Sequence, residues 1–165
     1  MTADCDKEHR FKKIVDEYQQ IIAKVCTVYA GANASFDDLY QETMINLWQG
    51  LESFRGEAKI STWIYRTALN TCITWYRRNN RHIKGRTDLE NIISEPGEDS
   101  SSRSEDLRQL YTLIRMLSPF EKAIITLWLD ERPYEEIASI TGLSKPNVAV
   151  KIHRIKDKLA KFADR

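Results

Sequence analysis

Apolar residues recur at helical spacing along most of the chain, and no apolar run alternates between turn residues as a strand would. Ile14, Tyr18, Ile21, Ile22, Val25 and Tyr29 share one face, which predicts a helix from about Glu8 to Tyr29. Gly31 and the short polar stretch after it end that helix. Ser35 or Asp37 can cap a second helix that runs to about Leu51, with Leu39, Leu47, Trp48 and Leu51 in its stripe. A break at Phe54-Arg55-Gly56-Glu57 follows, and Ser61 or Thr62 opens a third helix through Trp63, Ile64, Ala68, Cys72, Ile73 and Tyr76. Trp63 reads as a core residue of that helix.

The pattern fails from Ile83 to Ser104, where Gly85, Pro96, Gly97 and three consecutive serines sit among acids. Such a composition predicts a flexible linker. Periodicity resumes at Leu107, Leu110, Tyr111, Ile114 and Leu117. Ser118-Pro119 starts a helix lined by Phe120, Ile124, Leu127 and Trp128, with proline at a tolerated early position. Pro133 opens a short helix carrying Ile137 and Ala138, and Thr141-Gly142-Leu143 makes a tight turn. Ser144 caps the last helix, whose stripe is Val148, Ile152, Ile155 and Leu159. The predicted fold is all-α: a helical domain over 1–82, a linker over 83–104, and a second helical domain over 105–165 with a helix-turn-helix.

Ala138, Gly142 and Val148 carry the helix-turn-helix reading. A small residue lets two helices approach, a glycine supplies the positive φ of a tight turn, and an apolar residue packs the second helix on the first. The outward face of the last helix then holds Lys145, Asn147, Val150, Lys151, Arg154 and Lys158 behind the Ser144 cap. The N-terminal part of such a helix reaches base edges in the major groove. Lys145, Asn147, Val150 and Lys151 are therefore base-edge candidates, and Arg154 and Lys158 phosphate candidates.

Composition sharpens this picture in one respect. The formal net charge is only +1, which alone would argue against a nucleic-acid partner. The distribution matters more: Arg66, Arg77, Arg78, Arg81, Lys84 and Arg86 lie in a stretch without a single acid, and the last helix is again basic. Two basic stretches on a near-neutral chain suit two contacts with phosphate. With 42% hydrophobic and 30% charged residues, the chain supports packed cores and a polar surface. Cys5, Cys26 and Cys72 and the histidines His9, His82 and His153 have no metal-ligand or redox spacing, so neither a metal nor a cofactor is expected. The longest uncharged run, Val25 to Phe36, is far shorter than the ~20 apolar residues of a membrane span. The polar, acidic N-terminus does not read as a signal peptide. The expected location is the cytoplasm.

The N-terminal half narrows the function. Asp37-Asp38-Leu39-Tyr40-Gln41-Glu42-Thr43 precedes Asn46-Leu47-Trp48, then Phe54-Arg55-Gly56-Glu57, then Ser61-Thr62-Trp63-Ile64-Tyr65-Arg66 and Ala68-Leu69-Asn70. This order, with Tyr134-Glu135-Glu136-Ile137-Ala138 and Val148 to Leu159 after the linker, resembles bacterial RNA polymerase sigma factors of the extracytoplasmic-function type. The resemblance implies that Asp38, Gln41, Glu42 and Asn46 grip the core polymerase. It implies that Ile60, Ser61, Arg66, Asn70, Arg77 and Arg78 meet the minus-ten promoter element, where a base is turned out of the stack. Relatives often carry phenylalanine where this chain has Ile60. The resemblance further implies that Ser144, Lys145, Asn147, Val150, Lys151, Arg154 and Lys158 serve the minus-thirty-five element. By the same token, the linker would run near the polymerase active centre, and an anti-sigma protein is a possible partner besides polymerase and promoter DNA.

Two other classes compete. A stand-alone helix-turn-helix regulator would bind DNA without polymerase, usually as a dimer on a two-fold site. An enzyme is disfavoured by the lack of a phosphate-cradling glycine loop, metal-ligand spacing or nucleophile-base pairing, so no catalytic residue is expected.

Overall fold

The computed structural model describes residues 2–31, 34–80 and 105–165. Seven helices account for most of them: α1 (Thr2–Tyr29), α2 (Phe36–Gly50), α3 (Ile60–Asn80), α4 (Glu105–Arg115), α5 (Pro119–Leu129), α6 (Tyr134–Thr141) and α7 (Lys145–Ala163). No strand occurs among the described residues; Gly31 and Ala34 form one isolated bridge that closes the α1–α2 turn. The segment read as a linker, 83–104, lies outside the described residues.

Local chemistry sets the helix ends. The Ser35 hydroxyl accepts from the Asp38 amide at 3.1 Å, and Asp37 and Asp38 lie in the first turn, where a helix favours negative charge. Ser118 and Glu121 form a reciprocal capping box, with Pro119 in the first turn of α5. Gly142 ends α6 at φ 79°, and the Ser144 hydroxyl accepts from the Asn147 amide at 3.3 Å to start α7.

α1 departs from its predicted start. It begins six residues before Glu8, among polar and exposed side chains that carry no apolar stripe. The reason is tertiary. Lys7 bonds Glu52 at 3.0 Å and lies 4.3 Å from the Trp48 ring centre, and Phe11 meets Trp48 edge-on at 5.2 Å. These contacts with α2 and its end hold the extra turns in place.

α1, α2 and α3 enclose one core, with Ile22, Val25 and Cys26 of α1, Leu39 and Leu47 of α2, and Ile64, Ala68, Leu69 and Cys72 of α3 all buried. Burying a side chain of this size contributes roughly 1.5–3 kcal/mol. Cys26 and Cys72 are free thiols inside it, and Cys5 is free and exposed. The C-terminal helices enclose a second core of Ile114, Leu117, Ile124, Leu127, Ile137, Val148, Ile152 and Ile155. The two units do not stand apart: α1 and α3 pack against α5 and α6, and the buried residues form one continuous cluster.

Candidate nucleic-acid interface

The turn between α6 and α7 is what the sequence pattern requires. Gly142 adopts the left-handed backbone, its amide bonds to the Ala138 carbonyl at 2.9 Å, and Val148 and Ile152 bury the inner face of α7 beside Ile137. The outer face of α7 presents Ser144, Lys145, Asn147, Val150 and Arg154 as exposed residues, with Lys151 half-buried. Val150 is 47% exposed on that face.

Two of the candidate cations are engaged within the domain. Lys145 pairs with Glu135 on α6, and Lys158 pairs with Glu121 at 2.7 Å. Partial burial would raise the Glu121 carboxyl, but Lys158 and the Ser118 cap outweigh it and hold the carboxyl below its ordinary range. Glu135 is likewise held low, first by the hydrogen bond from Lys145. Lys158 thus braces α7 against the start of α5, and Arg154 is the freer cation of that half of the helix.

α3 carries the second set. Asn70, Arg77 and Arg78 are exposed, Ile60 and Ser61 are half-buried, and Ile60 packs against the core. Arg66 turns toward α6, donating to the Ser139 hydroxyl at 3.1 Å and to the Ser139 carbonyl at 3.4 Å. Asn70 and Arg78 line an open groove of 320 Å³ between α2 and α3, together with Glu42, Asn46, Thr67, Thr71, Thr74 and Trp75. Asp38 and Gln41 are exposed on the adjoining face of α2, Glu42 and Asn46 half-buried. Asn46 donates to the Thr71 hydroxyl at 2.8 Å, which ties α2 to α3 at the groove floor.

The loop before α3 holds what the sequence did not disclose. Phe54 stacks on Trp63, rings 4.9 Å apart and 27° from parallel. Trp63 is half-buried: it packs against the core as its spacing predicts, and it also walls a shallow pocket of 170 Å³ with Ser53, Phe54, Arg55, Glu57, Ala58 and Arg66. Gly56, at φ 76°, lets the chain turn there. Gly50 passes close beneath the indole, where an added Cβ would lie 3.4 Å from it.

Among the described residues no cluster of His, Cys, Asp and Glu has the makings of a metal site, and no helix is long and apolar enough to cross a membrane.

Comparison with known proteins bears on both units. The family described as Sigma-70 region 2 matches residues 14–82, and the family described as Sigma-70, region 4 matches residues 107–159. The chain is similar to RNA polymerase sigma factor YlaC of Bacillus subtilis, 36% identical over an alignment of 131 residues, covering 75% of this chain and 75% of that one. It is similar to the ECF RNA polymerase sigma-E factor of Haemophilus influenzae, 29% identical over 163 residues, covering 89% of this chain and 84% of that one. Among solved structures, the fold matches sigma factor RpoE from Bartonella quintana, crystallised with the anti-sigma factor NepR, at a TM-score of 0.76 and 19% identity over 94% of this chain and 97% of that one. It also matches CnrH, solved with the cytosolic domain of CnrY, at a TM-score of 0.67 and 20% identity over 95% of this chain and 89% of that one.

Proposed function

This chain belongs to the RNA polymerase sigma factors of the extracytoplasmic-function type, and from that premise we propose how its residues divide the work. A sigma factor directs core polymerase to promoters and takes part in initiation. The polymerase does the chemistry; this subunit supplies recognition and has no catalytic role of its own.

The domain over 1–82 binds core polymerase through Asp38, Gln41, Glu42 and Asn46 on α2, an acidic and polar face fit to meet basic residues. Its α3 serves the minus-ten element: Asn70 reads a base edge, and Arg66, Arg77 and Arg78 hold phosphates. The loop pocket beside Phe54 and Trp63 takes the base that leaves the stack, with aromatic faces in the role that phenylalanine at position 60 plays in relatives. The domain over 105–165 places α7 in the major groove at the minus-thirty-five element, with Asn147, Val150 and Lys151 toward bases and Arg154 toward phosphate. Joining two DNA-contacting units raises the effective concentration of the second once the first is placed.

The observation that carries this reading is the pairing on one chain of the region 2 match with a helix-turn-helix in the region 4 match. A stand-alone regulator would have no use for the first. The protein works in the cytoplasm, where core polymerase is. The matching RpoE fold was solved with an anti-sigma factor, and we extend that type of partner to this chain.

The test is a pull-down of core RNA polymerase with the full chain, followed by transcription from a genomic DNA library. Stable binding with new, discrete start sites is the expected result. Specific DNA binding by the chain alone, with no affinity for core polymerase, would return it to the regulators.

A further inference from the structure

The N-terminal core holds two side chains that neither polymerase binding nor promoter recognition uses. Cys26 of α1 and Cys72 of α3 are free thiols, 0% and 1% exposed. Their helices pack against each other, and the two thiols hydrogen-bond across the boundary between those helices. Thr43 of α2 is also buried and completes the cluster, its hydroxyl oxygen 3.9 Å from the Cys26 sulfur. The whole of α2 lies between the two cysteines in the chain, so their spacing in sequence gives no sign of the pair.

A single buried cysteine is a small apolar filler. Two facing sulfurs can do more, because an attacking thiol and the partner that resolves it are already in contact. The surroundings are apolar: Ile22 and Val25 of α1 and Ala68 and Leu69 of α3 are all buried. Bulky reagents have no path to such a place, whereas Cys5 is exposed near the start of α1. Hydrogen peroxide is neutral and little larger than water, so brief local opening admits it.

The bond between the thiols tells them apart. It favours the charged form of Cys26 and outweighs burial, so the pKa of that thiol is lowered. In Cys72 the same bond and burial act together to raise it. Cys26 is therefore the attacking sulfur.

We propose that Cys26 and Cys72 form a redox site for hydrogen peroxide, which joins them in a disulfide that fastens α1 to α3. The Cys26 thiolate attacks one peroxide oxygen, the O–O bond breaks, and hydroxide leaves and takes up the proton that Cys26 shed. Cys26 is left as a sulfenic acid. The Cys72 sulfur then attacks the Cys26 sulfur, the S–O bond breaks, and a second water leaves with the Cys72 proton. Two thiols give up two electrons, and one peroxide is reduced to two waters. In a reducing compartment the pair rests as thiols, and a dithiol reductant reopens the bond by exchange. The bond closes a covalent loop around α2, so it stabilises the N-terminal unit as a whole. The proposal goes beyond the sigma-factor reading and does not depend on it.

The experiment uses the full chain carrying Cys5→Ser, which prevents bonds between chains. It is reduced, freed of reductant, and exposed to a molar excess of hydrogen peroxide under native conditions. The intact mass should fall by two hydrogens, and proteolysis without reductant should give a peptide pair linked through Cys26 and Cys72. Dithiothreitol should restore the mass. The oxidised chain should melt at least about 5 °C above the reduced one. Cys72→Ala in the same background should show no such rise with peroxide. Oxygen added to either sulfur without a link, a link that forms only in urea, or a link that lowers Tm overturns the proposal. Should Cys72→Ala not fold, the linked peptide and its reversal by dithiothreitol decide alone. Polymerase is absent throughout, so a parent that fails to recruit core polymerase sinks the sigma reading and leaves this result standing.

Discussion

The Lys122 ammonium lies 5.6 Å from the centre of the Tyr29 ring, across the boundary between the two domains. Tyr76 faces it from α3 at 5.9 Å, and the residue is 7% exposed. Burial, with the Arg115 guanidinium adding repulsion, lowers its pKa to about 8. The folded form therefore binds this proton less tightly than the unfolded chain does, so the residue's contribution to stability improves as pH rises from about 8 toward the ordinary lysine range. Thermal melts of the parent between pH 7.5 and 9.5 should reveal that rise against Lys122→Met, in which it is absent. At pH 7 the methionine variant should gain on the order of 1 kcal/mol, about 2–4 °C in Tm at this chain length. A variant that melts lower at pH 7 would show that the two rings stabilise the charge beyond its desolvation cost.

Gly142→Ala tests the turn of the recognition motif. An added Cβ would meet nothing within 4 Å, so the cost is purely that of a left-handed backbone at φ 79°. That cost is roughly 1–2 kcal/mol, read as a fall in Tm of the C-terminal unit. An unchanged Tm would mean that the turn readily adopts another backbone.

Arg154→Ala is expected to weaken use of the minus-thirty-five element and to lower the salt dependence of promoter binding by about one unit of slope. Lys158→Ala should act differently. Its ammonium is paired with Glu121, so the variant should leave most of the slope intact. Equal slopes for parent and Arg154→Ala would put the phosphate contact elsewhere on α7.

Glu42→Lys reverses charge on the face proposed to meet polymerase. Titration of labelled core enzyme should show affinity reduced on the order of tenfold, as like charges across an interface repel. Circular dichroism should be unchanged, because Glu42 is half-buried at a groove edge and not in the core. Undiminished affinity would locate the polymerase face away from α2.

The helices were legible because their signals are local. Ser35, Ser118 and Ser144 each cap the helix that follows, and Gly142 takes the positive φ its place in the pattern demands. What was hidden depends on residues distant in the chain. Nothing near Asp130 announces that Lys24 and Tyr65, 106 and 65 positions away, are its partners. Trp63 packs on the core as its spacing predicts, but nothing in that spacing shows that Phe54, across a loop, stacks on its ring. The first turns of α1 have no apolar stripe because their anchors, Trp48 and Glu52, belong to α2 and the turn after it. Charge counts likewise placed the basic faces but could not show that Lys145, Lys158 and Arg66 already have partners inside the molecule.

The bond from Asn46 to Thr71 gives the groove between α2 and α3 a common hinge. One wall belongs to the helix proposed to grip polymerase, the other to the helix proposed to read DNA. Thr71 is itself held by the Thr67 carbonyl at 2.7 Å and is all but enclosed. A partner that draws Asn46 outward must release Thr71, and one that presses on α3 must be felt at Asn46. On the proposed division of work, the bond from Asn46 to Thr71 joins enzyme capture to promoter choice, and a change at Thr71 is expected to alter both together.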